Sequence, residues 1–216
     1  MTESASGIIL RTRPLTETSL IVHWLSPNLG RLATVAKGAR RAKSPFLGKL
    51  DLFYEADFSF SRSRSSELHT LREVRLRKTN GALREDILKL RQAAYAAAFI
   101  VQTTETETPL PRVHELFEEF LESLCAYEPS PQLIFAFELK MLHELGLEPD
   151  WSEAKLSAGT QKVISALIQR NFEGVFGLKL AATQTSELRQ FIHGFMVYHL
   201  GKIPLGRAQA LMTTHE

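Results

Sequence analysis

The chain has 216 residues, of which 44% are hydrophobic and 23% charged, with a formal net charge of +2 at pH 7. This composition is ordinary for a globular protein and argues against extensive disorder. No apolar run approaches the roughly 18 residues of a membrane-spanning helix, so we expect a soluble, cytoplasmic protein. A single cysteine, Cys125, excludes an internal disulfide and a multi-cysteine zinc site.

Charge is divided unevenly along the chain. Residues 1–80 contain 14 Lys and Arg against 7 Asp and Glu, a net of +7, whereas residues 81–216 contain 12 against 17, a net of −5. The change near Asn80 predicts two domains, 1–80 and 81–216, and the basic first part favours nucleic-acid binding. A solvated basic surface without a ligand is the alternative explanation of these charges.

The first third of the chain predicts five short strands rich in β-branched and aromatic residues. They cover residues 7–13, 19–25, 31–37, 52–60 and 68–77. Pro27 and Gly30 predict a turn that joins the second and third strands as a hairpin. Five strands in about 70 residues favour a small closed barrel, the five-stranded OB-fold, with an SH3-like barrel as the alternative.

An OB-fold binds single-stranded nucleic acid on its second and third strands and through the loops after its first and fourth strands. The stretch from Gly30 to Lys49 has six basic residues and no acidic one. Phe46 in this stretch either stacks on a base or anchors the loop on the barrel, and we expect Trp24 in the core. The predicted phosphate contacts are Arg31, Lys37, Arg40, Arg41 and Lys43, with Arg62 and Arg64, after the fourth strand, as weaker candidates.

From residue 83 onward the hydrophobic period is that of helices. The predicted helices cover residues 83–103, 112–126, 131–146, 160–169 and 186–200, while residues 172–182 fit a loop or a short helix equally well. Ser130 is the predicted cap of the third helix, Thr185 or Ser186 that of the last, and Gly201 its end. The predicted fold is therefore α+β, an OB-fold barrel followed by a helical domain.

No enzymatic or metal motif is present in the sequence. It contains no Gly-x-x-x-x-Gly-Lys-Ser/Thr loop and no Gly-x-Gly-x-x-Gly. His193 and His199 are six residues apart, which does not place them on one helical face as a zinc pair. We therefore expect a non-enzymatic protein with no catalytic residue, metal or cofactor.

Several short motifs match one family in order and spacing. They include Leu10-Arg11-Thr12-Arg13-Pro14, Glu17, Leu20-Ile21-Val22, Gly30-Arg31, Ala36-Lys37-Gly38-Ala39-Arg40-Arg41, Lys43-Ser44, Phe46 and Gly48. Residues 83–86, 137–139, 145–147 and 198–201 continue the likeness. The chain thus resembles the RecO family of bacterial recombination mediator proteins, and the block from Lys37 to Gly48 is its most specific part.

The resemblance implies an N-terminal OB-fold, a helical C-terminal domain and binding to single- and double-stranded DNA. It also implies strand annealing, nucleoid association during repair, and cooperation with RecR to load RecA on DNA covered by single-strand-binding protein. The acidic C-terminal tail of single-strand-binding protein is a further implied partner of the helical half. The cation of this protein that pairs with the acidic tail would be Lys140, Arg170, Lys179 or Arg189, or a basic residue of the barrel.

The sequence departs from the family in one segment. Many RecO proteins carry a four-cysteine zinc site after the Leu-Gly-Leu element, but residues 148–159 contain no cysteine. No zinc is expected here, which puts in doubt the partner contacts that this module supports in other members. Two rival functions stay open, an RNA-binding OB-fold factor and a scaffold that contacts only proteins.

Overall fold

The computed structural model describes residues 2–148, 150–151 and 154–212. The chain divides into two compact units, one formed by residues 1–80 and 104–118 and the other by residues 81–103 and 119–216. We call them the barrel unit and the helical unit. Pro149, Ser152 and Glu153, in the segment considered above for the family's zinc site, lie outside the described residues.

The barrel unit contains five strands in a closed barrel. They are β1 (Thr2–Pro14), β2 (Leu20–Ser26), β3 (Gly30–Ala36), β4 (Glu55–Ser61) and β5 (Leu68–Lys78). Their order around the barrel is β1-β2-β3-β5-β4, and only the β3–β5 pair is parallel. The long strand β1 closes the barrel because its first half pairs with β4 and its second half with β2. The predicted five-stranded OB-fold is confirmed.

The inside of the barrel is filled by alternate residues of the strands, as the period of two predicts. Trp24 is fully buried, and its ring stacks on Phe58 at a centroid distance of 4.1 Å. Its indole Nε1 donates a hydrogen bond of 2.9 Å to Thr34 Oγ1, so the polar edge of the ring is satisfied inside the core. The expected core position of Trp24 is confirmed.

Strand β4 begins three residues later than the sequence predicts. Phe53 has a φ of 64°, which a strand cannot accommodate. Its amide donates to Ile9 O at 2.8 Å, and the Ile9 amide donates to Tyr54 O at 2.9 Å. The aromatic residues before Glu55 therefore form a turn held against β1, although their alternation resembles that of the strand.

A connector, residues 104–108, packs on the start of β3. Gly30 has a φ of 68°, and a Cβ there would lie 2.1 Å from Thr108 O, so only glycine fits this close approach. The Glu107 amide donates to Arg31 O at 2.8 Å. These contacts explain why residues 104–118 belong to the barrel unit although they follow the first long helix.

Within the residues that the structure describes, a 3-10 turn (Gly81–Arg84) precedes seven helices: α1 (Ile87–Thr103), α2 (Pro111–Ala126), α3 (Pro131–Glu144), α4 (Ala158–Gln169), α5 (Phe172–Phe176), α6 (Ala182–Leu200) and α7 (Arg207–Ala210). The ambiguous stretch thus forms a short helix followed by a loop. None of the helices in the described ranges is long and apolar enough to cross a membrane.

One predicted helix cap is confirmed in position and one is wrong. Ser130 occupies the N-cap of α3 and Pro131 follows it in the first turn, as predicted, although the serine side chain makes no capping hydrogen bond. Helix α6 begins about one turn before Thr185 and Ser186, because the Gln184 side chain accepts a hydrogen bond of 2.9 Å from the Ala181 amide. Its predicted end is confirmed, since Gly201 takes a left-handed conformation with φ 71°.

Helix α3 is the centre of the helical unit, with nine of its 14 residues buried. One of the nine is Glu138, which is paired with the nearly buried Arg207 at 2.6 Å and 2.9 Å. Both oxygens of the carboxylate are used, so the pair is bidentate. Tyr95 donates a third hydrogen bond to the carboxylate, and burial together with the Glu138 charge raises the pKa of Tyr95 well above its usual value. This triad fixes α7 on α1 and α3.

Candidate nucleic-acid interface

The basic loop, residues 37–49, joins β3 to β4 through consecutive tight turns. The Arg41 amide donates to Gly38 O at 3.1 Å, and the Ser44 amide donates to Arg41 O at 3.0 Å. Gly38 and Gly48 have φ values of 70° and 72°, which these turns need and other residues rarely adopt. The loop is thus a defined structure without regular secondary structure.

Phe46 fixes the basic loop to the barrel. Its side chain is 6% exposed and belongs to the barrel core together with Trp24 and Phe58. A base cannot stack on a ring that is enclosed by the core. Of the two roles considered for Phe46, its position fits anchoring of the loop and does not fit stacking.

The basic loop also contacts the β1–β2 loop, residues 15–19. The Arg40 amide donates to Thr18 O at 3.0 Å, and its guanidinium donates to Thr16 O at 3.3 Å. The Gly38 amide donates to Ser19 Oγ at 3.4 Å. The basic loop therefore lies beside the loop that OB-folds use to bind nucleic acid.

Four predicted site residues are brought together in this loop: Lys37, Arg40, Arg41 and Lys43. All four are exposed. None of them forms an ion pair with a residue in the described ranges. Exposed and unneutralised cations at this density can bind phosphate groups of a nucleic-acid backbone.

The outer face of β1–β3 contains two more cations that the sequence analysis did not select. Arg11 and Arg13 are exposed on β1, and Arg11 is paired in register with His23 on β2. Burial lowers the pKa of His23, and the charges of Arg13, Arg11 and Arg31 lower it further. Strand alternation, which places positions 11 and 13 on the same face of β1, is the sequence signal that could have found them.

Arg31 is half-buried, and its donors are used within the protein. Its Nε donates to Thr104 Oγ1 at 2.8 Å, and its guanidinium also donates to Thr104 O. Burial lowers the pKa of Arg31, an effect that the charge of Glu105 opposes. Arg31 holds the connector on β3, so the structure separates it from the four cations of the basic loop.

Arg62, in the β4–β5 loop (residues 62–67), is paired with two carboxylates. It donates to both oxygens of Glu3, at 2.8 Å and 3.0 Å, and to Glu107 at 2.6 Å. The hydrogen bond to Glu3 raises the pKa of Arg62 against the effect of burial, and the Glu107 charge adds to the increase. The buried His69 contacts the same Glu107 at 2.6 Å. Arg62 thus fastens the loop, whereas Arg64 is exposed.

The helical unit contains an apolar cavity of about 570 Å³ between α6 and residues 203–211. Its lining includes Ile203, Leu211 and His193, with Arg189 as the exposed cation. Arg189 is one of the four cations considered for an acidic tail, but the cavity itself has no sequence signature. Among the described residues, no group of three or more His, Cys, Asp or Glu side chains could hold a metal ion.

The closed five-stranded barrel, its exposed basic loop and the second, helical unit place this chain among two-domain proteins with an N-terminal OB-fold. Residues 1–80 match the family model described as recombination protein O N terminal, and residues 84–154 match that described as recombination protein O C terminal. The chain belongs to the RecO family.

Three relatives illustrate the similarity, each named DNA repair protein RecO. The protein of Alkaliphilus metalliredigens (strain QYMF) is 32% identical over 144 residues, which cover 66% of this chain and 58% of the relative. That of Listeria monocytogenes serotype 4b (strain CLIP80459) is 29% identical over 159 residues, 73% and 61% of the two chains. That of Anaeromyxobacter dehalogenans (strain 2CP-C) is 26% identical over 231 residues, 91% of each. The matched part spans about three fifths of the first two relatives.

Proposed function

We propose that this protein is a non-enzymatic DNA repair and recombination mediator. It binds single- and double-stranded DNA, anneals strands and, together with RecR, helps to load the recombinase on DNA covered by single-strand-binding protein. The observation that carries the proposal is the group of exposed, unpaired cations in the basic loop beside the β1–β2 loop. Membership of the RecO family and the names of the relatives support it.

The basic loop supplies affinity that is independent of sequence. Lys37, Arg40, Arg41 and Lys43 contact phosphates and release the counterions that surround DNA, which suits a protein that acts on any exposed strand. Arg11 and Arg13 extend this surface along β1. The residues 1–80, completed by the connector, act as the DNA-binding domain, and the residues 81–216 carry partner contacts.

The experiment that tests this proposal is a salt series with single-stranded DNA, read by fluorescence anisotropy. Changing Arg40, Arg41 and Lys43 together to alanine weakens binding and flattens the slope of log K against log salt by about 2, since each lost phosphate contact contributes about 0.7. A matched control replaces three exposed cations of the helical unit, Lys162, Arg170 and Lys179, which changes the net charge equally.

An unchanged slope in a folded loop variant, or an equal change in the control, contradicts the assignment of the basic loop. Oligomers of one sequence as DNA and as RNA separate the mediator from an RNA-binding factor, because tighter RNA binding supports the latter. If no oligonucleotide binds even at low salt, the protein is a scaffold for other proteins.

For the acidic tail of single-strand-binding protein, we propose the cavity between α6 and residues 203–211. Ile203 and Leu211 offer apolar contacts, and Arg189 offers a cation at the exposed rim. The unit as a whole is acidic, so affinity depends on local pairing and apolar burial, and we expect roughly micromolar binding.

Calorimetry with the full chain and the tail peptide tests this site. Removal of the terminal apolar residue of the peptide and the change Arg189→Ala should each weaken binding, while Lys162→Ala should not. Absence of binding at millimolar peptide contradicts this partner. RecR is tested separately, by co-elution with the full chain in size-exclusion chromatography.

A further inference from the structure

The last part of the described chain lacks the acidic residues that are frequent elsewhere in residues 81–216. From Leu188 to Met212 the sequence contains no Asp or Glu, but it has three Lys and Arg and two His. This segment covers most of α6, the turn after it and α7. The absence of acidic residues sets this segment apart from residues 81–216 as a whole, whose net charge is −5.

Three aromatic rings meet at the C-terminal end of α6. Tyr198 is 84% exposed, and its ring centroid lies 4.8 Å from that of His199 at an angle of 77°. The His199 ring in turn lies 4.1 Å from the ring of Phe195, one turn earlier. The exposed tyrosine ring offers a large, rigid apolar surface to a ligand.

A cation, Lys202, follows these rings in the chain, three residues after His199. Lys202 is exposed and forms no ion pair in the described part of the chain, and its backbone carbonyl accepts a hydrogen bond of 2.9 Å from Gln102. The backbone position of the lysine is thus fixed while its ammonium group remains free. Arg207 differs, because the buried Glu138 holds its guanidinium.

We propose that Tyr198, His199 and Lys202 form a second site for single-stranded nucleic acid, distinct from the basic loop. Bases stack on the exposed rings, and the Lys202 ammonium contacts a phosphate. Exposed aromatic rings combined with positive charge are the features of sequence-tolerant single-strand sites. The inference rests on the proposed DNA-binding function, and it assigns one strand site to each unit.

An acidic peptide is the competing ligand for the same charges. Such a peptide needs an enclosed apolar pocket for its terminal side chain, and the cavity lined by Ile203 and Leu211 provides one. Tyr198 is not part of that lining, and its exposure leaves the ring faces open, which favours a base over an aliphatic side chain.

The test uses the full chain carrying the Arg40, Arg41 and Lys43 to alanine changes, so that binding by the barrel unit is reduced. In this background Tyr198→Ala weakens binding of a dT oligonucleotide about tenfold, whereas Tyr198→Phe retains it, because stacking needs the ring and not the hydroxyl. Lys202→Gln lowers the salt slope by about 0.7. Leu205→Ala is the matched control, since Leu205 is 85% exposed and lies three residues beyond the lysine.

A second measurement locates the contact directly. An oligonucleotide with 5-iodouracil, irradiated on the otherwise unchanged protein, should cross-link to the tryptic peptide of residues 190–202, which contains Tyr198. Equal affinity of Tyr198→Ala and its parent, together with no cross-link in this peptide, overturns the second site. Loss of tail-peptide binding without loss of DNA binding also overturns it, in favour of a peptide surface.

The two proposals fail in different ways. If the basic-loop changes reduce DNA binding but Tyr198→Ala has no effect, the second site is wrong and the proposed function stands. If the protein binds no oligonucleotide, both are wrong.

Discussion

Two basic loops of the barrel unit differ in what surrounds their charges. In the basic loop, Lys37, Arg40, Arg41 and Lys43 are exposed and make no ion pair with described residues. In the β4–β5 loop, Arg62 is held by Glu3 and by Glu107. The first loop therefore leaves its charges exposed and without an ion pair among the described residues, whereas one of the two arginines of the second loop is neutralised by carboxylates of the protein itself.

The difference shows that charge density in a sequence does not measure charge that is available for binding. The carboxylates that neutralise Arg62 come from positions 59 and 45 residues away. They reach the arginine because β1 pairs with β4 and because the connector packs beside β3. Ion pairing with carboxylates is thus the property that separates the two loops, and it can be tested first at Arg207, whose guanidinium is fully paired with Glu138.

The largest effect is expected from Arg207→Ala in the helical unit. The change leaves Glu138 buried and without its cation, which typically costs about 3–5 kcal/mol of unfolding free energy. Urea denaturation followed by circular dichroism measures the loss. Lys162→Ala, the control, removes an exposed cation from α4 and should cost less than about 0.5 kcal/mol. If the two variants are equally stable, the buried pair does not hold α7 in place.

The second-largest loss of stability is expected when the Phe46 ring, which anchors the basic loop in the barrel core, is removed. Phe46→Ala should cost about 3 kcal/mol, because it empties a large site in the barrel core, and it should also weaken single-strand binding by releasing the loop. The control is the adjacent Leu47→Ala, whose side chain is 67% exposed and which should cost less than about 0.5 kcal/mol. Unchanged stability of Phe46→Ala would return this ring to the candidates for base stacking.

Local patterns predicted the elements of this molecule better than the contacts between them. The period of two and the Pro27–Gly30 turn were sufficient for the β2–β3 hairpin, and the helical period was sufficient for α2 and α3. Helix α1 begins at Ile87, four residues later than predicted, after a 3-10 turn. The start of β4 was wrong because a φ of 64° at Phe53 is set by hydrogen bonds to Ile9, on another strand. Boundaries thus depended on tertiary contacts.

The candidate site shows the same difference between features that local sequence predicts and features that tertiary contacts determine. The acid-free stretch identified the four cations of the basic loop as candidates. It could not show that Phe46 points into the core, that Arg31 is bound to Thr104, or that Arg62 is paired with Glu107. Each of these facts depends on a residue that is distant in sequence, and the connector that supplies two of them was not predicted to join the barrel.

A smaller effect is expected when Arg62 is released from its partners. Glu3→Gln combined with Glu107→Gln should make the arginine available for a phosphate and steepen the salt slope by about 0.7. Glu67→Gln combined with Glu73→Gln is the charge-matched control, because both side chains are exposed in the same unit and form no ion pair with described residues. Anisotropy titrations measure both slopes. Identical slopes would mean that pairing is not what separates the two loops.

The smallest effect concerns His23, the histidine beside the arginines of the outer β1–β3 face. Burial, and then the charges of Arg13, Arg11 and Arg31, lower its pKa, so the folded protein binds a proton at this ring less readily than the unfolded chain does. In the unfolded chain a histidine has a pKa of about 6.5. As the pH falls below that value the unfolded chain binds the proton first, and the stability of the barrel unit declines until the folded pKa is reached.

This histidine also reports on DNA at the strand face. Phosphates bound to Arg11 and Arg13 offset the positive charges that oppose protonation, so the pKa of His23 should rise when single-stranded DNA is added. Ring resonances followed by NMR across a pH series measure it. His114 is the control, because its pKa is lowered by burial and no arginine contributes to the shift. If DNA raises the pKa of His23 and leaves that of His114 unchanged, the strand face adds to the surface of the basic loop. A pKa of His23 that does not respond to saturating DNA would restrict binding to the basic loop, and the two arginines of β1 would then have no part in it.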